Sequence, residues 1–248
     1  MARRIRTITP VLPDEMAVHQ GLAYSLWLPP TSSPLGGGVV ILHGAGSCKE
    51  NHHDFARAAL AAGLGAIAYD QRGHGESHGA MDGRVLQDVA AMAELLRMRM
   101  AERFGAGGAA ERVGLRGSSL GGYLAILAAQ AAQARAVVAV CPASAQGLLR
   151  GLSAGAFSFD VDRAALEEFL IAHDLQSAVE KLEIPLLLLH AEGDEQVPVQ
   201  HSRELAELAA HPQSRLVAVP GGHHRSVQHD SELNAVALRF LGRALAED

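Results

Sequence analysis

Short, uninterrupted apolar runs recur along the chain, each followed by a stretch with helical spacing. The runs at 38–42 (GVVIL), 65–69 (GAIAY), 113–115, 136–140 (AVVAV), 185–189 (PLLLL) and 216–219 (LVAV) read as strands. None alternates polar with apolar, so each is expected to be buried on both faces, as in a parallel sheet. Two weaker runs, 5–8 and 22–28, fit an antiparallel start to that sheet. Between the runs, helices are predicted over 54–62 (stopped by Gly63), 84–104, 120–133, 201–210 and 231–245. The second sets Leu86, Val89, Ala93, Leu96 and Met100 along one face. Strands alternating with helices of this length imply an α/β fold with a mostly parallel, eight-stranded sheet flanked by helices.

One interval breaks the rhythm. Residues 142–183 are too many for an ordinary connection, and hold helix candidates at 163–173 and 175–182. The chain is therefore expected to be one domain, 1–248, with a small cap inserted at about 142–183, over the strand ends where open α/β sheets bind ligands. A long crossover helix with a loose loop is the plainer alternative.

Composition narrows the function. The 248 residues are 48% hydrophobic, enough for a sizeable core, and a net charge of -6 offers no basic footprint for nucleic acid. The two cysteines, Cys48 and Cys141, form neither a disulfide framework nor a CxxC zinc site. No apolar run reaches membrane-spanning length, and none of signal-peptide length follows the basic start MARRIRTITP. A cytoplasmic protein without membrane partners is the default expectation.

The segment RVGLRGSSLGG, 112–122, contains G-x-S-x-G around Ser119. A strand precedes it and an Ala/Leu-rich helix follows, which is where a strained turn needs glycines two residues to either side of a nucleophilic serine. A helix N-cap serine after a glycine turn would look similar, so the context carries the reading. Ser118 is the poorer nucleophile, because Arg116 and Leu120 flank it. A serine hydroxyl needs a base, and the base a carboxylate. Asp194 follows the run PLLLL, with Glu192 and Glu195 as rivals in the same loop, and His223 and His224 follow the turn Pro220-Gly221-Gly222. The oxyanion of acyl transfer needs two donors. The N–H of Leu120, next to the nucleophile, and that of Ala45, in the glycine-rich turn after 38–42, are the candidates. His43 is expected to stiffen that turn. Of the 13 histidines, none falls in an H-E-x-x-H pattern, and no metal or cofactor is expected.

Taken together, HGAG (43–46), DQRGHGES (70–77), GSSLGG (117–122), DEQVP (194–198) and PGGHH (220–224) resemble the α/β-hydrolase superfamily. The likeness lies in the branch of carboxylesterases, acylglycerol lipases and feruloyl-type esterases, and runs over roughly 36–245. It implies the order Ser, Asp, His, selects His224 by its three-residue spacing from Gly221, and assigns Arg72 and His74 to loop stabilisation. Ala191 stands where many members have glycine. The implied activity is that of a serine hydrolase cleaving carboxylic esters through an acyl-enzyme, with a small-molecule substrate. A thioesterase or amide hydrolase would use the same triad, and a non-catalytic binding module would keep the same fold. Phe157, Phe159 and Phe169 of the interval are either acyl-pocket or packing residues, and packing is the simpler reading. Natural substrate and oligomeric state are not legible.

Overall fold

The computed structural model describes residues 10–246. The strand candidate at 5–8 lies outside them. The eight strands are β1 (Glu15–His19), β2 (Leu22–Trp27), β3 (Gly38–Leu42), β4 (Gly65–Tyr69), β5 (Val113–Ser118), β6 (Val137–Val140), β7 (Leu186–Ala191) and β8 (Arg215–Val219). They form one sheet in the order β1-β2-β4-β3-β5-β6-β7-β8, antiparallel at β1, β2 and β4 and parallel from β4 onward. From β2 to β7 the strands are buried along their whole length, which explains their unbroken apolar runs. β1 is an edge strand exposed at its centre, with Met16 and Val18 facing out. The segment EMAVH therefore carries no burial signature, and it is an addition to the expected set.

The helices follow as α1 (His53–Ala61), α2 (Val85–Phe104), α3 (Leu120–Leu127), α4 (Ala145–Ser153), α5 (Arg163–Ala172), α6 (Leu175–Glu180), α7 (Val199–Leu208), α8 (Ser226–His229) and α9 (Ser231–Ala246). Two apolar clusters separate the faces. α1 and α9 cover one, with Phe55, Ala59, Phe240 and Leu241 against Val39, Ile41 and Val138. α2, α3 and α7 cover the other, with Met92, Leu96, Tyr123 and Leu205 against Val40, Leu115 and Leu188. At about 25 cal/mol per Å² of apolar surface removed from water, such large side chains contribute about 2 kcal/mol each.

Two expectations are corrected. α3 ends at Leu127, not near 133. The guanidinium of Arg97 on α2 binds the carbonyls of Ala132 and Gln133 at 2.7 and 3.0 Å, and Gln133 turns left-handed at φ 47°. Tertiary capping thus overrides the helix propensity of the alanines. The interval 142–183 holds α4 besides the two expected helices. Its sequence AQGLLRGLS hides the helix behind two glycines, and Ser144 caps it through Gly147 N–H at 3.1 Å.

Strand order also locates the site. From β3 the chain crosses to β4 on one side, and β5 lies on the other. The carboxyl ends of β3 and β5 thus flank the topological switch point, where α/β sheets leave a crevice.

Candidate active site

Ser119 sits in that crevice between the end of β5 and the start of α3. Its backbone is at φ 53°, ψ −116°, a conformation costly for any residue with a Cβ. Three bonds hold it there: Ser119 N–H to Val140 O at 2.9 Å, and Tyr123 N–H and Ala143 N–H to Ser119 O at 3.0 and 3.1 Å. The flanking glycines have a steric cause. A Cβ on Gly117 would land on the Gly121 carbonyl oxygen, and one on Gly121 on the carbonyl oxygens of Leu42 and His43. Ser118 is buried instead, its hydroxyl donating to Gln228 Oε1 at 2.9 Å.

Residues 43–47 make a tight turn over the neighbouring strand end. Ser47 N–H bonds Gly44 O at 3.2 Å, and Gly46 takes φ 66°. As second residue of that turn, Ala45 keeps its N–H out of the closing bond. Leu120 is the first residue of α3, so its N–H has no intrahelical partner. His43 stiffens the turn: its Nε2 accepts Gln71 N–H at 2.9 Å, which leaves Nδ1–H to donate to Gly44 O at 2.8 Å. Burial pulls its pKa down to about 4, reinforced by His74, so the ring is neutral. His74 Nε2 accepts Gly46 N–H at 3.1 Å, and Arg72 pairs with Asp88. Both are loop residues. Beneath them, Lys49 Nζ meets the fully buried Asp70 carboxylate at 2.8 Å.

His224 Nδ1 lies 2.7 Å from Asp194 Oδ2, and both side chains are withdrawn from solvent. Asp194 Oδ1 accepts the N–H groups of Gln196 and Val197, each at 2.8 Å. Burial alone would raise this carboxyl, but the donors His190, His224, Val197 and Gln196 hold it well below the usual carboxylate range. The loops that carry Asp194 and His224 are tied together by Gly193 N–H to Gly221 O at 2.8 Å and Glu192 N–H to Val219 O at 2.9 Å. His223 is exposed. Of the rival acids, Glu192 pairs with Arg203 at 2.9 Å, and Glu195 accepts the His224 backbone N–H at 3.1 Å.

Ser119 and Ala45 line two adjoining clefts. One, of about 240 Å³, also holds His224. The other, of about 590 Å³, runs between α4 and α7 past Gln146, Gln176, Gln200, Leu148 and Phe157. The three phenylalanines divide: Phe157 lines this cleft, Phe159 stacks on His74 at 3.9 Å, and Phe169 is buried beside Tyr123.

Three neighbours of the site were not anticipated. Arg116, fully buried on β5, donates to Gln228 O at 3.0 Å and contacts His52 Nδ1 at 2.8 Å, so it ties α8, just past His224, to the strand that precedes Ser119. Burial lowers its pKa to about 10. Cys141, at φ 43°, stands with Asp194 and His224 within 4.8 Å, the spacing of a metal-ligand group. Burial pushes the thiol up and keeps it protonated, and the ring nitrogen of His224 is committed to Asp194. His190 touches Asp194 from behind. A histidine next to the last residue of an otherwise apolar strand was the available signal.

Among known proteins, the family model described as serine aminopeptidase, S33, matches residues 34–156. No curated protein matches the chain by sequence. A soluble variant of monoglyceride lipase from Saccharomyces cerevisiae, solved with a substrate analog, is 14% identical over 98% of both chains, with a TM-score of 0.71. Est1E from Butyrivibrio proteoclasticus is 18% identical, covering 95% of this chain and 100% of its own at a TM-score of 0.71. Monoacylglycerol lipase from Paleococcus ferrophilus is 19% identical, covering 90% and 99% at 0.68. With the eight-stranded sheet and the serine turn at its switch point, these likenesses show that the chain has the α/β-hydrolase fold.

Proposed function

We propose that the protein is a serine hydrolase that cleaves carboxylic esters through an acyl-enzyme. The observation that carries this is the His224–Asp194 pair, buried at 2.7 Å, opening onto the same cleft as a strained Ser119. With Nδ1–H given to Asp194, the imidazole presents an unprotonated Nε2. It takes the Ser119 Oγ proton as Oγ attacks the ester carbonyl. The N–H groups of Ala45 and Leu120 receive the oxyanion, each contribution of this kind being worth about 3 kcal/mol in the transition state. Asp194 stabilises the imidazolium, which then protonates the leaving alcohol. Water, activated by the same ring, releases the acid and restores Ser119.

α4 to α6 act as a cap. The segment after α4 is hydrogen-bonded to the loop after β4, through Asp160 N–H to Gly73 O at 3.0 Å and Met81 N–H to Asp160 O at 2.9 Å. The larger cleft mixes the amides of Gln146, Gln176 and Gln200 with the apolar Leu148 and Phe157. A long acyl chain would cover those amides without satisfying them, so short or polar substituents suit it better. The description of the matching family as aminopeptidases favours amide cleavage as a second reading.

A panel of p-nitrophenyl acetate, an acyl-CoA thioester and an aminoacyl p-nitroanilide tests the reading. Turnover led by the ester and abolished in Ser119→Ala is expected. Preference for the anilide would replace ester by amide chemistry, and turnover surviving in Ser119→Ala would refute the triad.

A further inference from the structure

β7 is apolar as far as Leu189 and then places His190, wholly buried, as its penultimate residue. The ring meets three groups. Nδ1 is 2.7 Å from Ser202 Oγ on α7, and Nε2 is 2.9 Å from Val197 O and 3.3 Å from Asp194 Oδ2. The carbonyl and the carboxylate only accept, so the proton belongs on Nε2, and in the neutral ring Nδ1 accepts the Ser202 hydroxyl hydrogen. We propose that His190, oriented by Ser202, is a positioning residue that holds the Asp194 carboxylate toward His224. The proposal rests on the triad reading above.

Asp194 offers about four lone-pair sites: the Gln196 and Val197 N–H groups donate to Oδ1 and His224 to Oδ2, while the His190 Nε2–H, hydrogen-bonded to Val197 O, stands 3.3 Å behind Oδ2 as an electrostatic contact. Without His190 the carboxylate keeps its backbone bonds but loses the contact that fixes Oδ2 from behind. Because His190 also bonds Val197 O, it has a plain structural duty in stitching the loop, and a test must separate the two. The charge on Oδ2 does so. His190 draws part of it away, and removing that contact leaves more of it facing His224. The imidazolium is then favoured, and the acid limb of kcat/KM moves to higher pH. The other titratable groups nearby are the Cys141 thiol beside the carboxylate, Glu195 on the His224 backbone and His201 near the His190 ring.

The measurement is the pH profile of kcat and KM on p-nitrophenyl acetate for His190→Met, His190→Gln and Ser202→Ala. His190→Met should lose roughly tenfold or more in kcat with little change in KM, and its acid limb should shift upward. His190→Gln, which carries an amide N–H near the place of Nε2, should recover most of that loss and keep the limb in place. Ser202→Ala, the milder change should His190→Met fail to fold, should move the limb the same way by less. Equal losses in Met and Gln with no displaced limb would leave only the stitching role and overturn the proposal. Wild-type enzyme without a fluorophosphonate-reactive Ser119 would instead overturn the triad reading on which it rests.

Discussion

The strain at Ser119 makes a prediction that opposes stability to function. Its φ of 53° with ψ of −116° suits glycine far better than a residue with a Cβ, and a non-glycine residue in such a region costs about 1–3 kcal/mol. Ser119→Ala and Ser119→Gly both remove the hydroxyl, but only glycine removes the Cβ. Glycine's greater freedom in the unfolded chain works against it by about 0.5–1 kcal/mol, and loss of a half-buried Cβ by a few tenths more. The net expectation is that Ser119→Gly exceeds Ser119→Ala in stability by about 1 kcal/mol. In a chain of this size that is roughly 2–4 °C in Tm. Urea unfolding of the two variants, compared at equal m, measures it. At an unstrained position the glycine variant would be the weaker by about 0.5–1 kcal/mol, and that ranking would refute the reasoning.

His224→Ala should reduce ester turnover by about four orders of magnitude, while exposed His223→Ala stays within a few-fold of wild type; steady-state kinetics of both reads the difference. Lys49→Met should cost about 3–5 kcal/mol in urea unfolding, because it strands the buried Asp70 carboxylate, and adding Asp70→Asn should recover part of it. His43 is held neutral with a pKa of about 4, so between roughly pH 6.5 and 4 the unfolded chain binds a proton that the folded chain does not. Stability should fall as pH drops through that window, by about 3 kcal/mol from this group, and the slope should flatten in His43→Gln. Among p-nitrophenyl esters, acetate and butyrate should be cleaved faster than palmitate, given the glutamine-lined cleft.

The central sheet was legible because burial on both faces leaves an unbroken apolar run, as in GVVIL and PLLLL. β1 was not, because an exposed edge strand has no such requirement, and α4 was hidden by Gly147 and Gly151. The candidate site was readable where geometry forces a residue type. Gly117 and Gly121 are required by backbone contact, and Gly221 and Gly222 by left-handed turns at φ 66° and 73°. Asp194 and Ser119 stood out by their place after a strand, and their expected neighbours Ala45 and His224 do share a cleft with Ser119. His190, Arg116 and Cys141 were missed for one reason. Each belongs to a strand or its end, and its role depends on what the fold brings against it: Asp194 for His190 and Cys141, and Gln228 for Arg116.

The most direct test is labelling with a fluorophosphonate at neutral pH, followed by peptide mapping of wild type, His223→Ala and His224→Ala. A single tag on Ser119, retained in His223→Ala and lost in His224→Ala, is the predicted result. A tag on Ser118, no tag on the folded wild-type protein, or a tag that survives in His224→Ala would contradict an activated Ser119 served by His224.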